Sequence, residues 1–372
     1  MKLLFFEIRK TIYTKRFLFL ILLLIFIIAS LFVRNLTVQP YIENEYMESI
    51  EQQLSHVYSN HSIHTNNLDL NPDDEQEKSL LNLTEQMREV LYEIRAANRE
   101  GQWQQQLLAE NDYLELQETY KTEGGQSTFS DTEIQKNIAL NQKLLDENIP
   151  PEHNQYSLAY PNFMKQIVDL FTSFGAVILL LLLIGDIMTT EFEAHQINLL
   201  LTQPIKKGHL LFSKFTVSFF AYLIVSSILL LITYLTGKIF GEGGTFQYPV
   251  LIEKNGIIEF VPISQFIGIE LLLFTFVIFM YISLLLLFSV LFRHTLGAIT
   301  TTALMIALGY YIGNVFTPFM DPRWNPFRNI IPHDVILYQQ NSYWYETIPI
   351  LLITSFLIYV LTYVSFRMKK AV

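Results

Sequence analysis

The chain contains no cysteine, which excludes disulfide bonds, thiolate metal sites and cysteine nucleophiles. It also lacks a phosphate-binding loop of the form G-x-x-x-x-G-K-[ST], the H-E-x-x-H motif of zinc proteases and any serine-nucleophile elbow. Charged residues are sparse at 16%, whereas 51% of the 372 residues are apolar and the mean hydropathy is +0.29. Such a composition is too apolar for a soluble protein of this length. It indicates a polytopic membrane protein that does not itself bind and hydrolyse ATP in the usual manner.

Six apolar segments approach or exceed the length that crosses the hydrocarbon core of a bilayer. They are Phe17–Val33, Phe171–Met188, Phe215–Thr236, Phe266–Phe292, Leu296–Phe316 and Thr347–Phe366. Residues 1–16 alternate apolar and basic side chains, which predicts an interfacial helix before an uncleaved first span. Basic residues flank both ends of the set, so the positive-inside rule places both termini in the cytoplasm. The predicted fold is an all-α polytopic membrane protein with six transmembrane helices, the last five within residues 167–372.

Residues 34–166 lie between the first two spans and should form an extracytoplasmic domain. They carry 9 Lys and Arg against 23 Asp and Glu, and their leucines recur at three- and four-residue steps typical of helices. Asn71 with Pro72 has the pattern of a helix start, and Ser130 with Glu133 has the spacing of a capping box. The helix-breaking signals are Gly101, Gly124–Gly125 and Ile149–Pro150–Pro151. At Gly101 the alternative is a long helical rod that continues through Leu107, Leu108, Leu114 and Leu116. A small domain of packed helices is therefore predicted.

Three acidic residues, Asp169, Asp186 and Glu270, fall within one or two turns of predicted span ends. Their carboxylates can reach water or lipid headgroups there, so an interface position is favoured over the alternative of a proton or ion relay. Asp186 follows a glycine, but the second aspartate that an intramembrane aspartyl protease needs is missing. The histidines of residues 34–166 match no ligand spacing, so no metal site is predicted.

The segment between the second and third spans, residues 190–207, is called the elbow below. Thr190 and Glu193 have the spacing of a capping box, which predicts a helix start at Thr190. Pro204 disfavours helix before it and predicts that this short helix ends near Leu201. An ordinary cytoplasmic loop with positive-inside lysines explains the pattern equally well. A hinged helical loop could also transmit force from a soluble partner into the spans.

The order of residues in the elbow resembles the segment between the second and third spans of type-2 ATP-binding-cassette (ABC) exporter permeases. That pattern is approximately E-x-E-x-G-T-x-x-x-L-L-x-x-P-[IV]-x-[KR], followed by a lysine at the start of the next helix, here Lys214. The Gly-Thr pair is replaced by His195 and Gln196. The resemblance assigns ATPase coupling to Glu191, Glu193, Ile197, Leu200, Leu201, Pro204, Lys206 and Lys207. The N-terminal L-L-F-F-E-I-R-K run and the six-span layout also resemble this family.

The resemblance implies a permease subunit in the bacterial plasma membrane, paired with a second permease as a homodimer or heterodimer. A cytoplasmic ABC ATPase subunit would bind ATP and magnesium, while this chain would bind no cofactor, metal or nucleic acid. Large domains between the first two spans occur in bacterial permeases that export antimicrobial peptides, other amphiphiles or sodium. The proline- and aromatic-rich loop 317–346 resembles the family's re-entrant outer segment. The pathway-lining candidates are Phe171, Phe174, Thr300, Thr301 and Thr302.

Other classes of function remain open on the residues alone. A membrane sensor or scaffold could use the acidic domain to bind a cationic peptide, although neither the short head nor the short tail looks like a cytoplasmic output module. A secondary transporter is disfavoured because charged residues near the bilayer midplane and an internal repeat are both missing.

Overall fold

The computed structural model describes residues 2–153, 155–194, 207–315, 324–339 and 343–368. Within these ranges the protein is about 82% helical. The first eight helices are α1 (Lys2–Ile12), α2 (Lys15–Leu70), α3 (Glu75–Glu100), α4 (Trp103–Thr122), α5 (Asp131–Glu147), α6 (Tyr160–Thr172), α7 (Phe174–Ile184) and α8 (Asp186–Glu193). The elements after the elbow are α9 (Lys207–Phe240), β1 (Pro249–Lys254), β2 (Ile257–Pro262), α10 (Ile263–Phe292), α11 (Thr295–Val315), α12 (Pro332–Leu337), β3 (Tyr338–Gln339) and α13 (Thr347–Met368).

The chain divides into two compact units. The membrane unit comprises Met1–Phe32, Leu158–Gly244 and Ile252–Val372, and the helical unit comprises Val33–Ser157 with Thr245–Leu251. The boundary therefore falls inside α2, whose first part belongs to the membrane unit and whose remainder belongs to the helical unit. The first segment of the helical unit ends at Ser157, so α6 is part of the membrane unit although most of it lies within the predicted domain 34–166.

The helical unit has its own hydrophobic core between α2, α3 and α4. Its buried members are Ile50, Leu54, Val57, Leu80, Leu83, Met87, Leu91, Ile94, Ala109, Tyr113 and Tyr120. The α3 residues recur at three- and four-residue steps, so one face of that helix is apolar and packs inward. Helix α5 adds Ile134 and Leu144 as further buried side chains.

The ends of these helices follow the sequence signals in all cases but one. Gly101 adopts the left-handed conformation, with φ of 69°, and ends α3, while Ser130 and Glu133 form the predicted capping box of α5. The predicted start of α3 at Asn71 and Pro72 is wrong. Asp74 caps α3 instead, because its carboxylate accepts hydrogen bonds from the amides of Gln76 and Glu77. An aspartate at this position satisfies two free amides and also favours the positive end of the helix dipole.

Replacing Leu91 with alanine should destabilise the helical unit by about 2–5 kcal/mol. Leu91 is fully buried in the core of that unit, so truncation leaves a cavity as well as removing apolar contact. The matched control is Leu108→Ala on α4, where the leucine is 54% exposed and the expected change is within about 0.5 kcal/mol. Native-state proteolysis of the full chain, followed at cleavage sites inside the helical unit, measures both. Equal protection of the two variants would contradict this core.

Five helices among the described residues are long and apolar enough to cross a membrane. They are Lys15–Leu70, Lys207–Phe240, Ile263–Phe292, Thr295–Gly313 and Trp344–Met368. Each contains most or all of one predicted span, namely the first and the third to sixth. Helix α10 is central in the membrane unit, because it packs against α6, α9, α11, α12 and α13. Most of its side chains are buried, including Phe266, Phe274 and Leu284.

The predicted second span, Phe171–Met188, is divided among three shorter helices. Ser173 separates α6 from α7, and Gly185 separates α7 from α8. A Cβ at Gly185 would lie 2.5 Å from the side chain of Ile299, so the absence of a side chain lets this joint pack directly on α11. The sequence did not predict these breaks, because the segment is almost continuously apolar. The small residues Ser173 and Gly185 are the only local sign of them.

A small sheet adds to the predicted all-α architecture. The strands lie in the order β2-β1-β3, and β1 pairs in parallel with β3 through Glu253 with Tyr338 and Lys254 with Gln339. Asn255 and Gly256 have φ of 52° and 80°, as a two-residue hairpin turn requires. This Asn-Gly pair between apolar runs was a readable signal for the hairpin.

The described part of the loop 317–346 contains short helical turns and packs closely on α11. Arg328–Ile330 forms a 3-10 turn that precedes α12. A Cβ on Gly309 would lie 2.5 Å from the ring of Phe327, and one on Gly313 would lie 2.4 Å from the side-chain amide of Asn325. The two glycines are four residues apart and therefore lie on the same face of α11. Because neither has a side chain, the loop segment can pack closely against that face. The re-entrant position of the loop in the bilayer stays a prediction.

Candidate functional site

The clearest polar site of the membrane unit is a buried ion triad of Glu7, Lys214 and Glu191. The Lys214 ammonium lies 2.9 Å from Oε2 of Glu7 and donates a hydrogen bond to Oε1 of Glu191. The side chains of Lys214, Glu7 and Glu191 are 0%, 6% and 3% exposed, so the contacts are largely shielded from solvent. Lys10 adds a second positive charge 3.9 Å from Glu191 at the partly exposed rim.

Three helices bring the triad together. Glu7 is the only acid of α1, whose other charged residues are basic, and α1 packs against α9. Lys214 is the eighth residue of α9, on the face buried in the bundle. Glu191 is on the last turn of α8, just before the described chain stops at residue 194. The triad therefore fixes the start of the elbow to two other helices.

Electrostatics makes this site sensitive to the removal of any one charge. Burial raises the pKa of Glu191 above its usual value, while the Lys214 ammonium opposes that rise. Oε2 of Glu191 has no hydrogen-bond partner among the described residues. The carboxylates of Glu7 and Glu191 balance the ammonium groups of Lys214 and Lys10 in formal charge. Removing one charge would leave a buried carboxylate without its partner, which is strongly unfavourable.

Glu193 makes a different contact from the one its spacing predicts. The capping box at Thr190 is wrong, because Thr190 is inside α8 and its hydroxyl donates to the carbonyl of Asp186. The Glu193 carboxylate instead accepts a hydrogen bond from the backbone amide of Thr295, with an N–O distance of 2.7 Å. Thr295 is the first residue of α11, so Glu193 neutralises the positive end of that helix dipole. A local three-residue spacing cannot tell this distant partner from a local one.

Replacing Glu193 with glutamine should remove a pH-dependent contribution to stability. The Thr295 backbone amide, followed by the Thr295 side chain, holds the pKa of Glu193 below its usual value. A lowered pKa in the folded state adds stability above the unfolded-state pKa, and this stability is lost as pH falls through the folded-state pKa. The melting temperature of the wild type should therefore exceed that of Glu193→Gln near neutral pH, and the gap should close in acid. Glu89→Gln, on an exposed part of α3, is the control, and a gap independent of pH would refute the assignment.

Two further contacts attach the flanks of the elbow to the bundle. Lys207 extends its ammonium to the backbone carbonyl of Phe366, at 3.5 Å, and lies 5.7 Å from the centre of that ring. A cation is favourable there because Phe366 is in the last turn of α13. Arg16 of α2 pairs with Asp186 at 2.8 Å, which gives that acid an ionic partner near the start of α8.

Three of the predicted coupling residues are described and the others are not. Glu191, Glu193 and Lys207 lie at the two ends of the elbow, each in contact with another helix. The coupling residues Ile197, Leu200, Leu201, Pro204 and Lys206 lie outside the described residues. The role of the whole set in ATPase coupling stays a prediction. Sequence reasoning missed Glu7, whose one signal was its position as a lone acid in a basic helix.

The pathway candidates separate into two groups. Phe171 is buried, packs edge-on against Phe274 with ring centres 5.5 Å apart, and lines an apolar cavity of about 180 Å³. The cavity is lined by Leu20, Ile21, Leu24, Ile27, Ile28, Ile167, Leu170, Phe171, Gly175, Leu180, Leu183, Val225 and Leu229. Thr300 is exposed and Thr302 is buried on α11, where both hydroxyls bond the preceding turn, and Thr301 is half-buried beside them. The side chain of Phe174 is outside the described part.

Several long apolar helices and a buried ion triad define a multi-pass membrane protein built around a helical bundle. The model of the family described as ABC-2 family transporter protein matches residues 1–370, so the chain belongs to this family. Its members are membrane subunits for transport that are not typically catalytic, and they generally work with a partner ATPase subunit. No curated protein matches the chain significantly. No solved structure does so either.

Proposed function

We propose that the chain is the permease subunit of an ABC exporter driven by ATP hydrolysis in a separate cytoplasmic ATPase. Family membership supports a transport role, and the sequence has no phosphate-binding loop of its own. ATP and magnesium would therefore bind to the partner chain. The complex would sit in the bacterial plasma membrane with two permease chains, identical or similar, above the ATPases.

The observation that carries this proposal is the attachment of both ends of the elbow to distant helices. Glu191 is tied to α1 and α9, Glu193 to α11 and Lys207 to α13. A push on residues 190–207 would therefore reach four helices of the bundle at once. This arrangement suits a docking segment that converts closure of an ATPase into rocking of the spans between inward- and outward-facing states.

The cavity supports an amphiphilic cargo such as an antimicrobial peptide or a drug. Its lining is apolar side chains from α2, α6, α7 and α9, with Phe171 contributing an aromatic face. A space of about 180 Å³ holds roughly one ring or a short length of acyl chain, since an apolar cavity of about 150 Å³ is enough to bind benzene. A hydrated sodium ion would find no polar ligand in such a wall.

The test is transport in proteoliposomes that contain the permease with the ATPase subunit that copurifies with it. A fluorescent amphiphile should be moved only when the ATPase and ATP are present. Glu193→Ala should reduce transport per ATP hydrolysed, because the elbow loses its contact with α11, whereas Glu193→Asp should restore part of it. Glu259→Ala, at a partly exposed surface pair with Lys254, is the matched control. Transport without an ATPase, or unchanged coupling in Glu193→Ala, would overturn the proposal.

A further inference from the structure

A second polar cluster of the membrane unit shares no residue with the elbow and is not used by the proposed mechanism. It joins Asp169 on α6, Glu270 on α10 and His333 on α12, three residues with metal-ligating side chains. One ligand atom from each residue lies within 4.8 Å of the other two. Glu270 is fully buried, seven residues inside α10, which corrects the expectation that it reaches the interface.

Each of the three residues has one atom that is buried and has no hydrogen-bond partner among the described residues. These atoms are Asp169 Oδ1, Glu270 Oε2 and His333 Nδ1. His333 Nδ1 is 3.1 Å from Asp169 Oδ1, so these two atoms face each other and form an ion pair when the imidazole is protonated. Buried polar atoms are normally satisfied, so Oε2 of Glu270, in a residue that is fully buried, calls for a missing partner.

The other atoms of the cluster are already held. Lys165 donates to Oδ2 of Asp169 at 2.9 Å, and the Thr172 hydroxyl donates to Oε1 of Glu270. The ring of His333 packs edge-on against Phe266, with ring centres 5.7 Å apart. Each potential ligand is thus oriented by a neighbour, and Oε2 of Glu270 stays free beside the facing atoms of Asp169 and His333, as in metal sites whose ligands are fixed by outer hydrogen bonds.

The charge balance also favours a cation. Two carboxylates face one nearby ammonium, so with a neutral imidazole the cluster carries one net negative charge beside a fully buried glutamate. An uncompensated buried carboxylate is costly, and a bound divalent ion would remove that cost. Calcium and magnesium prefer all-oxygen ligands, whereas one imidazole with two carboxylates suits zinc and similar first-row ions.

We propose that Asp169, Glu270 and His333 bind a divalent transition-metal ion of the zinc class. Lys165 and Thr172 act as positioning residues that hold the outer carboxylate oxygens. The side chains of Asp169 and His333 are 23% and 27% exposed, so an ion has a route to the site without unfolding the bundle. The bound ion would fasten α12 to α6 and α10. The inference does not depend on the ATPase-driven export proposed above.

Zinc titration of the purified, chelator-stripped protein against a chromophoric competitor tests this site directly. One zinc ion should bind per chain, and zinc should raise the melting temperature. Glu270→Gln and His333→Ala should each weaken zinc binding by about a hundredfold or more, because losing only a group that orients a ligand already costs about tenfold to a hundredfold. His56→Ala, which changes an exposed histidine of the helical unit, should leave binding unchanged.

Folding of each variant is checked by helical circular dichroism before titration, and Glu270→Gln preserves side-chain volume. Two results would overturn the proposal. One is that the wild-type protein binds no zinc. If Glu270→Gln is then also more stable than the wild type, the two carboxyl groups share a proton instead of binding an ion. The other is zinc binding that persists in both ligand variants, which would place the ion elsewhere. Neither result bears on ATP-dependent transport, so this test is separate from that of the proposed function.

Discussion

Replacing Lys214 with methionine should lower the free energy of unfolding by about 3–5 kcal/mol, the cost of breaking a buried ion pair by removing one partner. Methionine has a similar length and lacks only the charge and hydrogen bonds. It would leave Glu7 and Glu191 facing each other in a site where both are almost fully buried. Equilibrium unfolding in mixed micelles measures the change. ATP-driven transport should fall in parallel, since the start of the elbow loses its anchor.

The triple variant Glu7→Gln, Glu191→Gln and Lys214→Met distinguishes charge from packing. It removes all three charges together, so most of the lost stability should return, because neutral groups of similar volume often replace a buried ion cluster without cost. Lys238→Met, at an exposed position near the other end of α9, should change stability by no more than about 0.5 kcal/mol. A single variant as stable as the wild type would show that the triad does not hold these helices.

Much of this fold could be predicted because hydrophobic length and periodicity are local signals. Five long apolar segments and the leucine steps of α3 required no knowledge of distant contacts. The breaks at Ser173 and Gly185 and the β1–β2 hairpin were missed. Each depends on packing or on a short turn signal inside a strongly apolar context, where composition alone favours a continuous helix.

The polar sites were less predictable, because their residues are distant in sequence. The elbow motif singled out Glu191, Glu193 and Lys214 through its resemblance to a family, but it could not show that the first and last form a buried pair. The spacing of Thr190 and Glu193 predicted a local capping box, whereas in the folded protein the Glu193 carboxylate caps the start of α11. Glu270 was expected near water because only its distance from a predicted span end was visible.

Replacing Gly175 with phenylalanine should impair transport of an amphiphile without destabilising the protein. Gly175 lines the apolar cavity beside Phe171, and a Cβ built on it meets no atom within 4 Å. The Cβ of the new side chain therefore meets no clash, and its ring can occupy the cavity that Gly175 lines. Stability should be unchanged or rise by up to about 1 kcal/mol because glycine is a poor helix former. If cargo uses this space, its apparent affinity should fall about tenfold, which corresponds to about 1.4 kcal/mol of lost binding.

The matched control is Gly268→Phe on α10. This glycine is exposed and its added Cβ also meets no neighbouring atom within 4 Å, but it does not line the cavity. Both variants should show the same ATPase assembly and similar melting temperatures, and only Gly175→Phe should raise the cargo concentration needed for half-maximal transport. If both variants need the same cargo concentration for half-maximal transport, the cargo does not pass through this cavity. A phenylalanine that fills a cavity used by the cargo would have to weaken its transport.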